Sequence, residues 1–140
     1  MSEAQTLSFP KAAAASRLRT YRLLFTISIV IEAAIGLYGV ACPVSLARLL
    51  LLPDPYPEAW ARIWAATLIG LQIVYVPGVR NPLFYRWPNW ASIAMKLFMA
   101  VVFLCAGAHF LVPAAWSLLW AVVLFVAYYR LLMADLACNP

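Results

Sequence analysis

The stretch LFMAVVFLCAGAHFLVPAAWSLLWAVVLFVAYY, residues 97–129, carries no formal charge. As one helix it would be about 50 Å long, against a bilayer hydrocarbon core of about 30 Å. It therefore holds two crossings, and Pro113 marks a tight hairpin between them. The third span is expected over 90–110 and the fourth over 113–132. Trp116 and Trp120 stand early in the fourth, and Tyr128, Tyr129 and Arg130 anchor its end.

Working outward, the basic aromatic loop Arg80–Pro88 precedes the third span and suits a lipid-headgroup boundary. A second span is expected over 58–76. Glu58 lies in its first turn, where the helix dipole favours an anion, and Pro77 and Gly78 end it. Before it, Pro53, Pro55 and Pro57 on alternate positions hold an extended connection. Residues 44–52 are apolar but too short to cross and contain Arg48, so they read as an interfacial helix with Pro43 at its start. A first span is expected over 19–41, behind a collar of Arg17, Arg19 and Arg22. Residues 1–16 read as a cytoplasmic tail, mobile or lying at the interface, and 136–140 as a C-terminal tail.

The fold class is thus all-α: an integral membrane four-helix bundle over residues 17–135, with a short interfacial helix between spans 1 and 2. Composition agrees, because 66% of the chain is hydrophobic and 11% charged, against about 25% charged in a soluble domain. Lipid must be the solvent for most of the surface. The net charge of +5 does not imply nucleic acid, since the basic residues sit at the ends of apolar runs. Lys11, Arg17, Arg19, Arg22, Arg80, Arg86 and Arg130 share one side, and Arg48 and Arg62 lie at the other. The positive-inside rule puts both termini in the cytoplasm.

The apolar stretch 23–41 behind basic residues resembles a signal peptide but exceeds the usual length of about 7–15 residues. Gly39-Val40-Ala41-Cys42 resembles a lipoprotein cleavage site but has Gly39 where an aliphatic residue is usual. The stretch is read as a retained helix. Cys42 and Cys105 fall near the outer face. Packing as small residues is the default for each, and a bond between them is the alternative.

Charges inside spans are costly and usually face protein or water. Glu32, Arg62 and Lys96 form the candidate polar cluster. Each shares a helix face with small residues: Ser28, Gly36 and Gly39 with Glu32; Ala66, Gly70 and Ile73 with Arg62; Ser92, Ala100, Phe103 and Gly107 with Lys96. All three faces are therefore expected to point inward. Depth puts Glu32 about 20 Å from the cytoplasmic boundary and Lys96 about 9 Å, so Arg62 is the expected partner of Glu32. In that structural reading Lys96 snorkels to the interface. The functional reading is a polar pocket for a proton, a headgroup or a small ligand.

Weaker candidates are Gln72 and Tyr75, explained by hydrogen bonding between helices, and His109. His109 is a lone residue near the outer end of the third span, able at most to supply one ligand at a subunit interface. No phosphate loop, H-E-x-x-H, G-x-S-x-G or C-x-x-C occurs. No catalytic or metal residue and no cofactor is assigned.

The segment Arg62-Ile63-Trp64-Ala65-Ala66-Thr67-Leu68-Ile69-Gly70, then Tyr75, Arg80-Asn81-Pro82-Leu83-Phe84-Tyr85-Arg86 and Lys96-Leu97, resembles small bacterial four-span proteins of the DoxX-like superfamily. The resemblance covers about residues 20–132. It implies four helices and a bacterial inner membrane, marks Arg62 and Lys96 as family polar positions, and implies no reaction. The DoxX-like name is sometimes linked to quinone-dependent respiratory complexes, but no residue here carries that role over.

The leading expectation is a non-enzymatic accessory subunit of a larger membrane complex, or a homo-oligomer. The alternative is a bundle handling a quinone, lipid or proton around Glu32, Arg62 and Lys96. A transporter or channel ranks last, because four short spans offer no alternating path alone.

Overall fold

The computed structural model describes residues 3–138, with side chains from residue 11 onward. Five helices follow one another: α1 (Glu3–Ala41), α2 (Pro43–Leu49), α3 (Glu58–Arg80), α4 (Arg86–Cys105) and α5 (Leu111–Cys138). No strand occurs among the described residues. Four segments are long and apolar enough to cross a bilayer, Lys11–Ala41, Glu58–Arg80, Arg86–Cys105 and Ala108–Cys138. The chain is a multi-pass, all-α membrane bundle, with α2 as the short non-spanning helix.

Several boundaries differ from expectation. α1 begins at Glu3, so most of the expected tail is helix; residues 1, 2, 139 and 140 lie outside the described residues. Pro77 lies inside α3 rather than ending it, and the helix runs to Arg80. The hairpin between the last two spans turns at Gly107, not Pro113. Gly107 takes a φ of 109°, a conformation that side chains oppose, and a 3-10 turn over Ala108–Phe110 follows. Pro113 instead occupies the first turn of α5, where its missing N–H breaks no helical bond.

Two ends of the bundle are tied by arginines that satisfy carbonyls. At one end Arg22 donates to the Arg80 carbonyl at the close of α3 (2.5 Å), and Arg17 donates to the Arg130 carbonyl (3.0 Å). At the other, Arg48 grips Asp54 through two contacts of 3.3 Å, and the carboxylate holds the guanidinium protonated more firmly. α2 stops by a left-handed cap. Leu51 has φ 58°, its N–H reaches the Arg48 carbonyl (3.1 Å), and the Leu52 N–H reaches the Ala47 carbonyl (2.8 Å).

Packing is closest between α1 and α3, between α4 and α5, and between α1 and α5; α3 and α4 touch less. A Cβ at Gly36 would lie 2.9 Å from the Ala65 carbonyl oxygen, and one at Gly39 2.8 Å from the Ala65 Cβ. The α1–α3 crossing needs small residues at both places, as packing in lipid generally does. The core around Tyr21, Phe25, Tyr75, Leu124 and Tyr128 is aromatic, with the Tyr21 and Tyr128 ring centres 5.1 Å apart.

Candidate functional site: a polar column inside the bundle

Glu32 sits on the face of α1 that continues Tyr21, Phe25 and Ser28, a spacing of three and four residues that makes one stripe. Ser28 and Gly36 on that stripe are buried, and the Glu32 side chain is 12% exposed. Lys96 projects from α4 and is only 6% exposed. Its Nζ is bonded to Glu32 Oε1. The other carboxylate oxygen accepts a bond from the Gln72 side-chain amide of α3 (2.9 Å), which also donates to the Leu68 carbonyl (3.2 Å). Three helices therefore meet on one carboxylate.

The expected Glu32–Arg62 pair is not formed, and Lys96 does not snorkel. α4 begins at Arg86 instead of 90, which places Lys96 about 6 Å deeper than expected. The four-carbon stem covers the remaining distance to Glu32. α3 is also rotated relative to expectation. Arg62, Ala66, Gly70 and Ile73 are exposed, and the buried face is Ala65, Gln72, Tyr75 and Gly78. Arg62 lies at the α2 end of the bundle, where it bonds the Val40 carbonyl in the last turn of α1 and Glu58 Oε2 (3.3 Å). The inward polar groups of α3 are amide and phenol, which tolerate burial better than a guanidinium.

Ser28 and Ser92 lie one helical turn before Glu32 and Lys96 on the same faces, and both are buried. Their hydroxyls, the Gln72 carbonyl oxygen and the Trp120 indole N–H have no hydrogen-bond partner. Next along the bundle, the Tyr21 hydroxyl donates to Asn89 Oδ1 (2.9 Å). The Asn89 amide donates to the carbonyls of Pro82 (3.0 Å) and Tyr85 (2.9 Å), and the Tyr128 hydroxyl donates to Pro82 (3.2 Å). The polar column thus runs from Glu32 and Lys96 to the loop between α3 and α4, where Asn89 ties α1 to that loop.

Tyr75 is buried in the aromatic core, its ring centre 6.3 Å from that of Phe25. His109 is exposed in the 3-10 turn between α4 and α5. Sequence reasoning missed Asn89 and Tyr21. Extending the Ser28–Glu32 stripe back by one heptad would have found Tyr21. Extending the Ser92–Lys96 stripe back to one heptad before Lys96 would have found Asn89, had α4 been started before Trp90. Cys42 and Cys105 are exposed free thiols, and no cluster of metal-ligating side chains occurs among the described residues.

Chemically, the column can hold charge and fix helix register. A cavity of about 240 Å³ lies at the α2 end, between Pro43, Leu46, Pro53 and Trp64. A groove of about 540 Å³ lies between α1 and α5. Neither is lined by Glu32, Gln72 or Lys96. No protein-family model matches the chain, and no curated protein or solved structure matches it either.

Proposed function

We propose that this protein is a non-catalytic accessory or scaffold subunit of a larger complex in a bacterial inner membrane, with both termini cytoplasmic, as the distribution of Lys and Arg and the DoxX-like likeness suggest. One observation carries the reading. The outward face of α3 presents Ala59, Ala66 and Gly70, and nothing stands within 4 Å of where a Gly70 Cβ would be. Glycine in a helix costs about 1 kcal/mol relative to alanine, and here no contact within the chain offsets that cost. A partner helix backbone resting on the face would. Meanwhile the charged interior is closed on itself by Lys96 and Gln72.

Photocrosslinkers at Ile73, on the α3 face, and at Leu119, exposed on α5, test this in native membranes. A discrete heteromeric product from Ile73 and none from Leu119 is expected. Equal, diffuse labelling from both positions would refute the reading. A second reading, a bundle that handles a proton, quinone or lipid, is favoured by the unpartnered Ser28 and Ser92 hydroxyls beside the ion pair. It requires Ser28→Ala with Ser92→Ala to abolish a ligand-dependent or proton-dependent signal without loss of folding.

A further inference from the structure

The groove between α1 and α5 combines two features that the polar column does not use. Arg17 and Arg130, distant in sequence, stand together at its mouth, and the Arg17 guanidinium is fixed there by its bond to the Arg130 carbonyl (3.0 Å). Below them Leu24, Val122 and Val126 form an apolar wall. Thr20 also lines the mouth, but its hydroxyl donates to the Ser16 carbonyl (3.1 Å), so the arginines carry the free donors. Two arginines lining one groove make its mouth positive, which favours an anion there, and the planar guanidinium fork suits phosphate oxygens.

We propose that this groove binds one anionic phospholipid of the arginine-rich leaflet, its phosphate on Arg17 and Arg130 and one acyl chain along Leu24, Val122 and Val126. The dimensions agree. From Arg130 to Val122 the helix rises about 12 Å, close to the roughly 15 Å half-thickness of the hydrocarbon core. The groove volume of about 540 Å³ is large enough for a chain segment rather than an ion alone. Charge complementarity selects the occupant, because a zwitterionic headgroup brings its own cation to the same two arginines.

Native mass spectrometry of the full chain, with phosphatidylglycerol and phosphatidylcholine of identical acyl chains, tests the assignment. One phosphatidylglycerol should be retained in preference to phosphatidylcholine. Losing one charge-assisted hydrogen bond to a phosphate costs about a tenfold factor, so Arg17→Gln with Arg130→Gln should lower the preference by about 100-fold. Arg19→Gln, which removes a charge outside the groove, should leave it unchanged. Arg130→Gln keeps its backbone carbonyl for Arg17 and is the variant to use if the double variant misfolds. Val126→Trp fills the apolar wall, keeps both arginines, and should also abolish retention. Equal loss from Arg19→Gln would show diffuse attraction and overturn the site. So would phosphatidylcholine bound equally well, retention unaffected by Val126→Trp, or displacement of the lipid by inorganic phosphate.

Discussion

Replacing Lys96 by Met removes a cation that is 6% exposed and leaves the Glu32 carboxylate, 12% exposed, with the Gln72 amide as its remaining hydrogen-bond donor. Breaking one side of a buried pair costs about 3–5 kcal/mol, because the surviving charge stays desolvated. A membrane-embedded unfolded chain also finds partners for its polar groups, so the low end, about 3 kcal/mol, is expected. Removing both charges is different: Glu32→Gln with Lys96→Met also removes the desolvation penalty, and the double variant should lie within about 1 kcal/mol of the parent. Glu32→Gln alone strands the buried Lys96 cation at a similar cost, so the coupling energy of the cycle is about 5 kcal/mol. Unfolding in mixed micelles, followed by tryptophan fluorescence and circular dichroism, reads all four proteins. Arg62→Met is the internal control. Its guanidinium is about half exposed and pairs with Glu58, so its loss should cost less than about 1 kcal/mol. Additive losses at Glu32 and Lys96, or coupling of Glu32 to Arg62 instead, would refute the assignment.

Other consequences can be checked in the same assay. Gly78→Ala should destabilise by about 1–3 kcal/mol, since a Cβ there would lie 2.5 Å from Asn89 Oδ1, an atom held in place by Tyr21. Gly70→Ala should stabilise the isolated chain by about 1 kcal/mol, because the site is open, yet Gly70→Trp should weaken copurification of any partner. Asn89→Leu leaves the buried Tyr21 hydroxyl without its acceptor and should cost about 1–3 kcal/mol. Leu51→Gly relieves a left-handed residue and should stabilise the α2 cap by about 1 kcal/mol, read as slower proteolysis of the α2–α3 connection.

The four crossings were legible because lipid imposes one length on every span, and an uncharged run of about 50 Å must fold back on itself. The turn at Gly107 was misplaced to Pro113, since proline signals a break only in a helix interior and is tolerated in a first turn. On α1 and α4 the stripes of small and polar residues did identify the buried faces through Ser28, Gly36, Ser92 and Lys96. On α3 the same rule failed. Its small residues Ala66 and Gly70 face outward, while Gln72 and Tyr75 face inward. A small residue allows close approach of any helix and does not say whether that helix belongs to the same chain. The partner of Glu32 was misread for a related reason: a depth difference of a few residues at the start of α4 decides which cation reaches it, and helix ends are the least determined feature of a sequence.

A membrane-embedded subunit must be found with its partners. The mass of the protein released from its own membranes in a mild detergent, measured together with the composition of the particle, is the most direct measurement. A particle holding this chain and at least one other polypeptide in fixed ratio is expected, and the ratio should fall apart in Gly70→Trp. A stable, solitary monomer of about 15.6 kDa would contradict the proposed role.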